Sequence, residues 1–206
     1  MNVFVLGAAG KTGRLIVEMA VAAGHDVTAL VRDASRYNAP PGVQVLRGDA
    51  TDPATLAHGM AGQDVVIDAV GGKTPWRKTE LERTVARAIV AAAQQHGTHR
   101  IIAISSLGVS DSTAHSPLLL RLLLPTFLRG STADKAAMEQ EVEQAGIPYV
   151  LVRPAVLNDQ SAVGAVRVLT GTEKGRQITR ADVASFVIEQ LTTNTHLNRA
   201  VTIANR

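Results

Sequence analysis

The stretch VFVLGAAGKTG, Val3–Gly13, joins a continuous apolar run to a glycine-rich turn. Four apolar residues in a row suit a strand covered on both faces, which is a property of parallel sheets. Gly7, Gly10 and Gly13 follow at three-residue spacing. The apolar periodicity of residues 12–23 predicts a helix directly after them, stopped by Gly24. A strand, a tight glycine turn and a helix in that order have a specific physical use. Gly7 lets the strand turn sharply. Gly10 has no Cβ, so a pyrophosphate can approach the backbone. Gly13 lets the helix pack close to the strand. The unpaired N–H groups of the helix start, aided by the helix dipole, then attract negative charge. Ala9, Lys11 and Thr12 complete the turn, with Lys11 and Thr12 as further donors. The competing reading is a glycine-rich turn with no ligand.

Outward from this stretch, short β-rich runs alternate with longer helical ones. Strands are predicted at residues 3–6, 27–31, 43–46, 65–70, 101–105, 149–152, 165–169 and 200–203. Helices are predicted at 12–23, 53–60, 80–95, 133–144 and 182–191, with Asp52 and Pro53 opening the second and Gly97 and Gly146 ending the third and fourth. Such alternation implies parallel strands joined by right-handed helical crossovers. The expected fold is α/β, a Rossmann-type doubly wound and mainly parallel sheet with helices on both faces. No linker or repeat interrupts it, so residues 1–206 are expected to form one nucleotide-binding domain. The stretches 108–131 and 154–175 are expected on its substrate side, and 108–131 and 158–175 carry no readable motif. Within the first of them, the apolar segment 117–128 reads either as a core helix or as a pocket wall, lid or oligomer contact.

Composition narrows the function classes. The chain has 206 residues, 46% of them hydrophobic and 19% charged, which is globular composition. It has no cysteine, so disulfides, thiolate metal sites and a cysteine nucleophile are excluded. No apolar run approaches a membrane span, and the first residues do not read as a signal peptide. A cytoplasmic protein is the expectation. Net charge is +3, but the 21 basic residues are scattered and only six residues are aromatic. Nucleic-acid binders concentrate charge on one face and often add stacking rings, so that role is not expected. His96 and His99 flank a helix-ending glycine and form no metal-ligand set. Ser105 and Ser106 with His115 lack the elbow motif of a serine hydrolase.

Three further positions bear on the nucleotide. Arg32 ends the second strand, 19 residues after Gly13. An acidic residue there would accept from a ribose 2′-hydroxyl, whereas the planar fork of an arginine suits a 2′-phosphate, so NADP is favoured over NAD. Asp33 follows and could partly neutralise it. Asp49 and Ala50 follow the third strand, where the carboxylate could meet an adenine amino group or simply shape the turn. Val70 and Gly71 end the fourth strand and let a cofactor lie against the sheet edge. Trp76, a little further on, is placed either to stack on a substrate ring or to cover a helix start.

Over nearly its whole length the sequence resembles the atypical short-chain dehydrogenase/reductase superfamily. Within it the similarity is to the NmrA-like NAD(P)H-binding and the biliverdin-IXβ reductase/flavin reductase types. The resemblance rests on residues 3–33, GDATD at 48–52, ARAIVAAAQQHG at 86–97, RIIAISSLG at 100–108 and DKAAMEQEVEQAGIPYVLVRPAVLND at 134–159. It implies that Gly7–Gly13 hold the pyrophosphate and Arg32 the 2′-phosphate, with Asp49 and Ala50 beside the adenine. It places Ser105 and Ser106 at the active-site serine position, and Lys135 at the lysine that holds the nicotinamide ribose. Pro154 and Val156, with Leu157, would wall a flat apolar pocket. The superfamily's tyrosine, four residues before that lysine, is replaced here by Ser131, and the histidine of biliverdin reductases falls on Val156.

The resemblance implies an NADPH-dependent oxidoreductase passing hydride to a planar acceptor such as a flavin or a quinone. Ser106 would hydrogen-bond the acceptor, Trp76 and Val156 would border it, and water would supply the proton. The alternative is an NADP(H)-binding redox sensor without useful catalysis. A sugar-nucleotide epimerase or dehydratase is the third reading, weakened by the missing tyrosine. No metal is expected, and a homodimer or a regulatory protein partner is compatible with the first two.

Overall fold

A computed structural model of the chain describes residues 1–72, 79–117 and 129–206. Its main sheet is built from β1 (Asn2–Leu6), β2 (Asp26–Val31), β3 (Gln44–Arg47), β4 (Val65–Asp68), β5 (Arg100–Ile104), β6 (Tyr149–Pro154), β8 (Val166–Val168) and β10 (Arg199–Asn205). The strand order is β3-β2-β1-β4-β5-β6-β10-β8, parallel except for β8, which runs antiparallel to β10. A separate parallel pair joins β7 (Val156–Asn158) to β9 (Gln177–Thr179). Five helices complete the fold: α1 (Lys11–Ala22), α2 (Pro53–Met60), α3 (Leu81–His96), α4 (Arg129–Glu143) and α5 (Arg180–Glu189).

The continuous apolar strands are explained by two cores. Val3 and Val5 of β1 belong to one cluster and Phe4 and Leu6 to the other. In β5, Ile102 faces the first core while Ile101 and Ala103 face the second. Ile16, Val17 and Ala20 of α1 and Val183, Ala184 and Val187 of α5 cover one face. Leu56 and Met60 of α2, Val85 and Ile89 of α3 and Met138 and Val142 of α4 cover the other. Strand order reverses between β1 and β4, so a crevice opens at their carboxyl ends, where open α/β sheets bind ligands. No helix among the described residues is long and apolar enough to cross a membrane.

Several element bounds differ from the sequence expectation. The fourth strand stops at Asp68, not residue 70, because the Asp68 carboxylate accepts the Val70 N–H at 2.9 Å and turns the chain. The last helix starts at Arg180 and not at residue 182. Thr179 is its N-cap and takes the Asp182 N–H, while the Thr179 hydroxyl donates to Asp182. Asp182 also accepts from Val163 N, Gly164 N and Asn205 Nδ2, so its carboxylate fastens a loop to the helix start. The fourth helix begins at Arg129, four residues earlier than expected. The β7–β9 pair escaped prediction because three residues are too few to show a period. Residues 110–115, expected to be irregular, form a turn of 3₁₀-helix. Trp76 and almost all of the apolar segment at 117–128 lie outside the described residues.

Candidate functional site

The glycine turn has the form its spacing predicts. Gly7 sits at φ +72°, and a Cβ there would lie 2.5 Å from the Ala69 carbonyl oxygen. The turn therefore presses directly against the end of β4. A Cβ on Gly13 would lie 2.2 Å from the Gly7 carbonyl oxygen, so the helix start and the strand end touch through that glycine. Gly10 caps α1 in extended conformation, with no side-chain cap bond to the helix. The first N–H groups of α1 thus point to the crevice without a side-chain acceptor at the cap.

Two cavities meet at this turn. The larger, of 760 Å³, is walled by Gly10, Lys11 and Thr12 at one end and by Ser105, Ser106, Ser131 and Lys135 at the other. Pro154, Val156 and Leu157 border it, as do Glu82 and Arg180. The smaller, of 370 Å³, is walled by Gly7, Ala9, Arg32, Asp49, Ala50 and Leu81. Gly10, Ala69, Val70 and Gly71 line both. Every described residue singled out from the sequence as a binding candidate lines one of the two, except Gly13, whose task is packing, and Arg14 and Arg36, weaker candidates for the 2′-phosphate. Glu82, Arg180 and Leu81 were not singled out. They sit at helix starts whose approach to the crevice depends on the tertiary arrangement alone.

The smaller cavity is an open, charged niche. Arg32 is exposed there. Asp33 does not wall it, because its carboxylate accepts both the N–H and the hydroxyl of Ser35. Asp49 accepts the Thr51 N–H at 2.9 Å and the Thr51 hydroxyl at 2.8 Å through one oxygen. Those two bonds, with the nearby Arg32 charge, hold its carboxyl below the ordinary aspartate range. Asp49 thus shapes its turn and faces the niche as well. Arg14 is committed elsewhere, donating to the Ala9 carbonyl and lying over the Tyr37 ring.

The larger cavity has charged groups at both ends. At the turn, Lys11 pairs with Asp159 at 2.5 Å, and Asp159 also pairs with Arg180. Lys11 is thus shared between the turn and the loop after β7. At the far end, the Lys135 ammonium lies 3.4 Å from the Ile104 carbonyl and 3.8 Å from Glu82 Oε1. Asp68 is buried close by, and burial pushes its carboxyl up to about 6 against the pull of the Val70 N–H and Lys135. Ser105 Oγ is buried and has no hydrogen-bond partner among the described residues. A bare glycine cradle and an orphaned hydroxyl on one crevice fit a dinucleotide. No group of three or more His, Cys, Asp or Glu among the described residues could hold a metal.

Arg153, at the end of β6, anchors this end of the sheet. Its guanidinium donates twice to Glu139 of α4, at 2.8 Å each, and also meets Asp111 at 2.5 Å. This fork accounts for the paired Glu and Arg of the quoted 134–159 stretch: it ties α4 to β6 and so fixes Lys135 over the cavity.

A family model for NAD(P)H-binding proteins matches residues 7–194. This chain belongs to that NAD(P)H-binding family. A sugar epimerase of Bacillus subtilis, YhfK, itself uncharacterized, is 30% identical over 97% of this chain and 92% of its own. Among solved structures, the anaerobillin reductase ChuY of Escherichia coli O157:H7 superposes with TM-score 0.82 at 24% identity, covering 100% of this chain and 97% of that one. SP1627 of Streptococcus pneumoniae TIGR4, a candidate NADH-flavin reductase, gives TM-score 0.79 at 21% identity over 100% of both chains. These superpositions agree with the Rossmann-type α/β fold of this NAD(P)H-binding protein.

Proposed function

We propose that the protein is an NADPH-dependent reductase of a flat acceptor such as a flavin or a quinone. The observation that carries this reading is the pair of cavities sharing Gly10, Ala69, Val70 and Gly71. One cavity offers Arg32 to a 2′-phosphate, and the other leaves space for a second molecule beside Ser106 and Lys135. When bound, the nicotinamide supplies hydride.

The remaining roles fall to the chain. Gly7, Ala9, Gly10, Lys11 and Thr12 cradle the pyrophosphate, and Asp49 and Ala50 border the adenine. Lys135 donates to the ribose hydroxyls, and Ser105 Oγ gains the partner it lacks. Ser106 hydrogen-bonds the acceptor, which rests on Pro154 and Val156, with Val156 54% exposed at the mouth. Of the two substrate-side segments, Ser131 and residues 154–157 border the acceptor. The names of the anaerobillin and flavin reductases support acceptors of this shape.

A second reading keeps the cofactor and drops the turnover. Neither tyrosine nor histidine is among the described residues lining the larger cavity, and Ser131 stands where a phenol would donate. That favours a redox sensor binding NADPH and NADP⁺ with different affinity. Steady-state oxidation of NADPH with FMN, FAD and quinones decides between them. Acceptor-dependent turnover above the buffer rate supports the reductase. Saturable binding without turnover supports the sensor.

A further inference from the structure

The carboxyl of Glu82 is the acid of the larger cavity, and its surroundings are unusual. Glu82 is 2% exposed. Its Oε1 accepts the Gly72 N–H at 2.9 Å and faces the Lys135 ammonium at 3.8 Å. Its Oε2 is buried and receives no donor from the described residues. What faces Glu82 from α4 is a second carboxyl, Asp134.

Asp134 already accepts three hydrogen bonds, two on Oδ2 and one on Oδ1, which leaves one acceptor site on Oδ1. It takes the Glu82 N–H, the Arg83 N–H and the Thr79 hydroxyl, at 3.1, 3.1 and 2.9 Å. It thereby caps α3 from a neighbouring helix, since Glu80 at the cap position makes no side-chain bond. The free N–H groups and the dipole of α3 favour a negative charge there. Two adjacent buried carboxylates repel, and one bridging proton removes both the repulsion and the unmet oxygen.

We propose, building on the reductase reading, that Glu82 carries a proton shared with Asp134 and relays it through Lys135 to the acceptor. The balance is simple. Acceptor, NAD(P)H and one proton give reduced acceptor and NAD(P)⁺. The hydride carries both electrons, and the Lys135 ammonium gives a proton to the acceptor atom that becomes negative. Glu82 then returns a proton to Lys135, and solvent restores the carboxyl pair after product release. Glu82 acts through Lys135 and is a positioning and relay residue.

The direction of the acidities agrees with this. Burial, together with the Asp134 carboxyl, raises Glu82 above the ordinary glutamate range against Lys135 and the Gly72 N–H. Burial opposes ionisation of Asp134 too, but the bonds from Glu82, Arg83 and Thr79 outweigh it and hold Asp134 low. Among the described residues, the other charged groups here are Lys135 on α4 and Asp68 at the end of β4. Arg83 is turned away to Glu141, and α2 brings the apolar Leu56 and Met60 to α3, with His58 exposed.

The test separates a relay from a structural bond. Infrared spectra of the apo protein with ¹³C-carboxyl-labelled glutamate should show a protonated carboxyl band at pH 7. That band should shift with the label and vanish in Glu82→Gln. Of the other buried acids among the described residues, Asp68, Asp134 and Asp182 do not carry the label, and Glu139 carries it but is paired with the Arg153 guanidinium, so loss of the band in Glu82→Gln assigns it. Gln has the same size, stays neutral and can donate to Asp134, so a merely structural role survives the change. A relay does not: kcat should fall about 10²-fold, with NADPH affinity unchanged and the pH profile altered. A wild-type protein without a labelled-glutamate band overturns the shared proton, whatever happens to Glu82→Gln. A folded Glu82→Gln protein with the wild-type kcat and pH profile overturns the relay. If the band is present but wild type turns over no acceptor, the reductase reading fails and the relay with it, while the shared proton stands.

Discussion

Substituting the glycines of the turn one at a time should separate what the fold needs from what the nucleotide needs. Gly13→Ala places a Cβ 2.2 Å from the Gly7 carbonyl oxygen, whereas ordinary contact begins at 3.4 Å. The obstacle is backbone on both sides, so no side chain can swing away. The start of α1 has to withdraw by roughly 1 Å, and overpacking of that kind costs about 1–3 kcal/mol or more. Alanine returns about 1 kcal/mol in helix propensity. The expected net loss is about 1–2 kcal/mol, toward the upper end because the obstacle is backbone, or a Tm lower by about 2–8 °C for a chain of this size. Gly10→Ala is the contrast. Its Cβ would approach the same oxygen at 3.1 Å, and the backbone at Gly10 is extended, open to any residue. Its Tm should stay within about 2 °C of wild type. The new methyl group stands where the pyrophosphate must approach, so NADPH affinity should drop at least about tenfold, equivalent to about 1.4 kcal/mol. Thermal unfolding and fluorescence titration with NADPH read the two effects separately. If Gly10→Ala binds NADPH as well as wild type does, the cofactor does not lie on this turn, and the reasoning is refuted. An unchanged Tm for Gly13→Ala would refute the packing argument.

Arg32→Ala should weaken NADPH binding by about 10- to 100-fold and leave NADH nearly unchanged, since a charged hydrogen bond is worth about 1.5–3 kcal/mol; equal weakening of both removes Arg32 as the phosphate ligand. Asp68 has its carboxyl raised to about 6 in the folded protein, from 3.8. The folded state therefore holds the proton more tightly than the unfolded chain does. This contribution is fully present below about pH 4 and is lost as pH rises through about 6, by at most about 3 kcal/mol. Asp68→Asn should flatten the urea-unfolding stability profile across that window; a profile as steep as wild type would show that another group controls it. Glu139→Ala strands the buried Arg153 guanidinium with Asp111, 89% exposed, as its remaining acid. The expected loss is about 3–5 kcal/mol by denaturant unfolding, and a loss under about 1 kcal/mol would mean that Asp111 suffices.

Much of the candidate site was legible in the chain because it is local. The turn of Gly7, Gly10 and Gly13 needs only a strand before it and a helix after it. Arg32, Asp49 and Val70 each end or follow a strand, so parallel strands bring them to one edge without further information. Ser105, Ser106 and Pro154 also end or follow strands, but their roles came from the family resemblance. Lys135 was placed by resemblance, since its helix does not reveal which face meets the cavity.

What the sequence alone determined is the α/β layering and the nucleotide edge, because apolar runs, glycine spacing and helix stops act over a few residues. Only the tertiary structure decided the character of the far end of the larger cavity. Asp134 caps a helix more than fifty positions before it, Glu82 is left with a buried oxygen lacking any donor among the described residues, and Lys11 and Arg180 meet on Asp159. Charge pairing and desolvation depend on distances between groups far apart in the chain, and those distances exist only once the two helical layers have closed on the sheet.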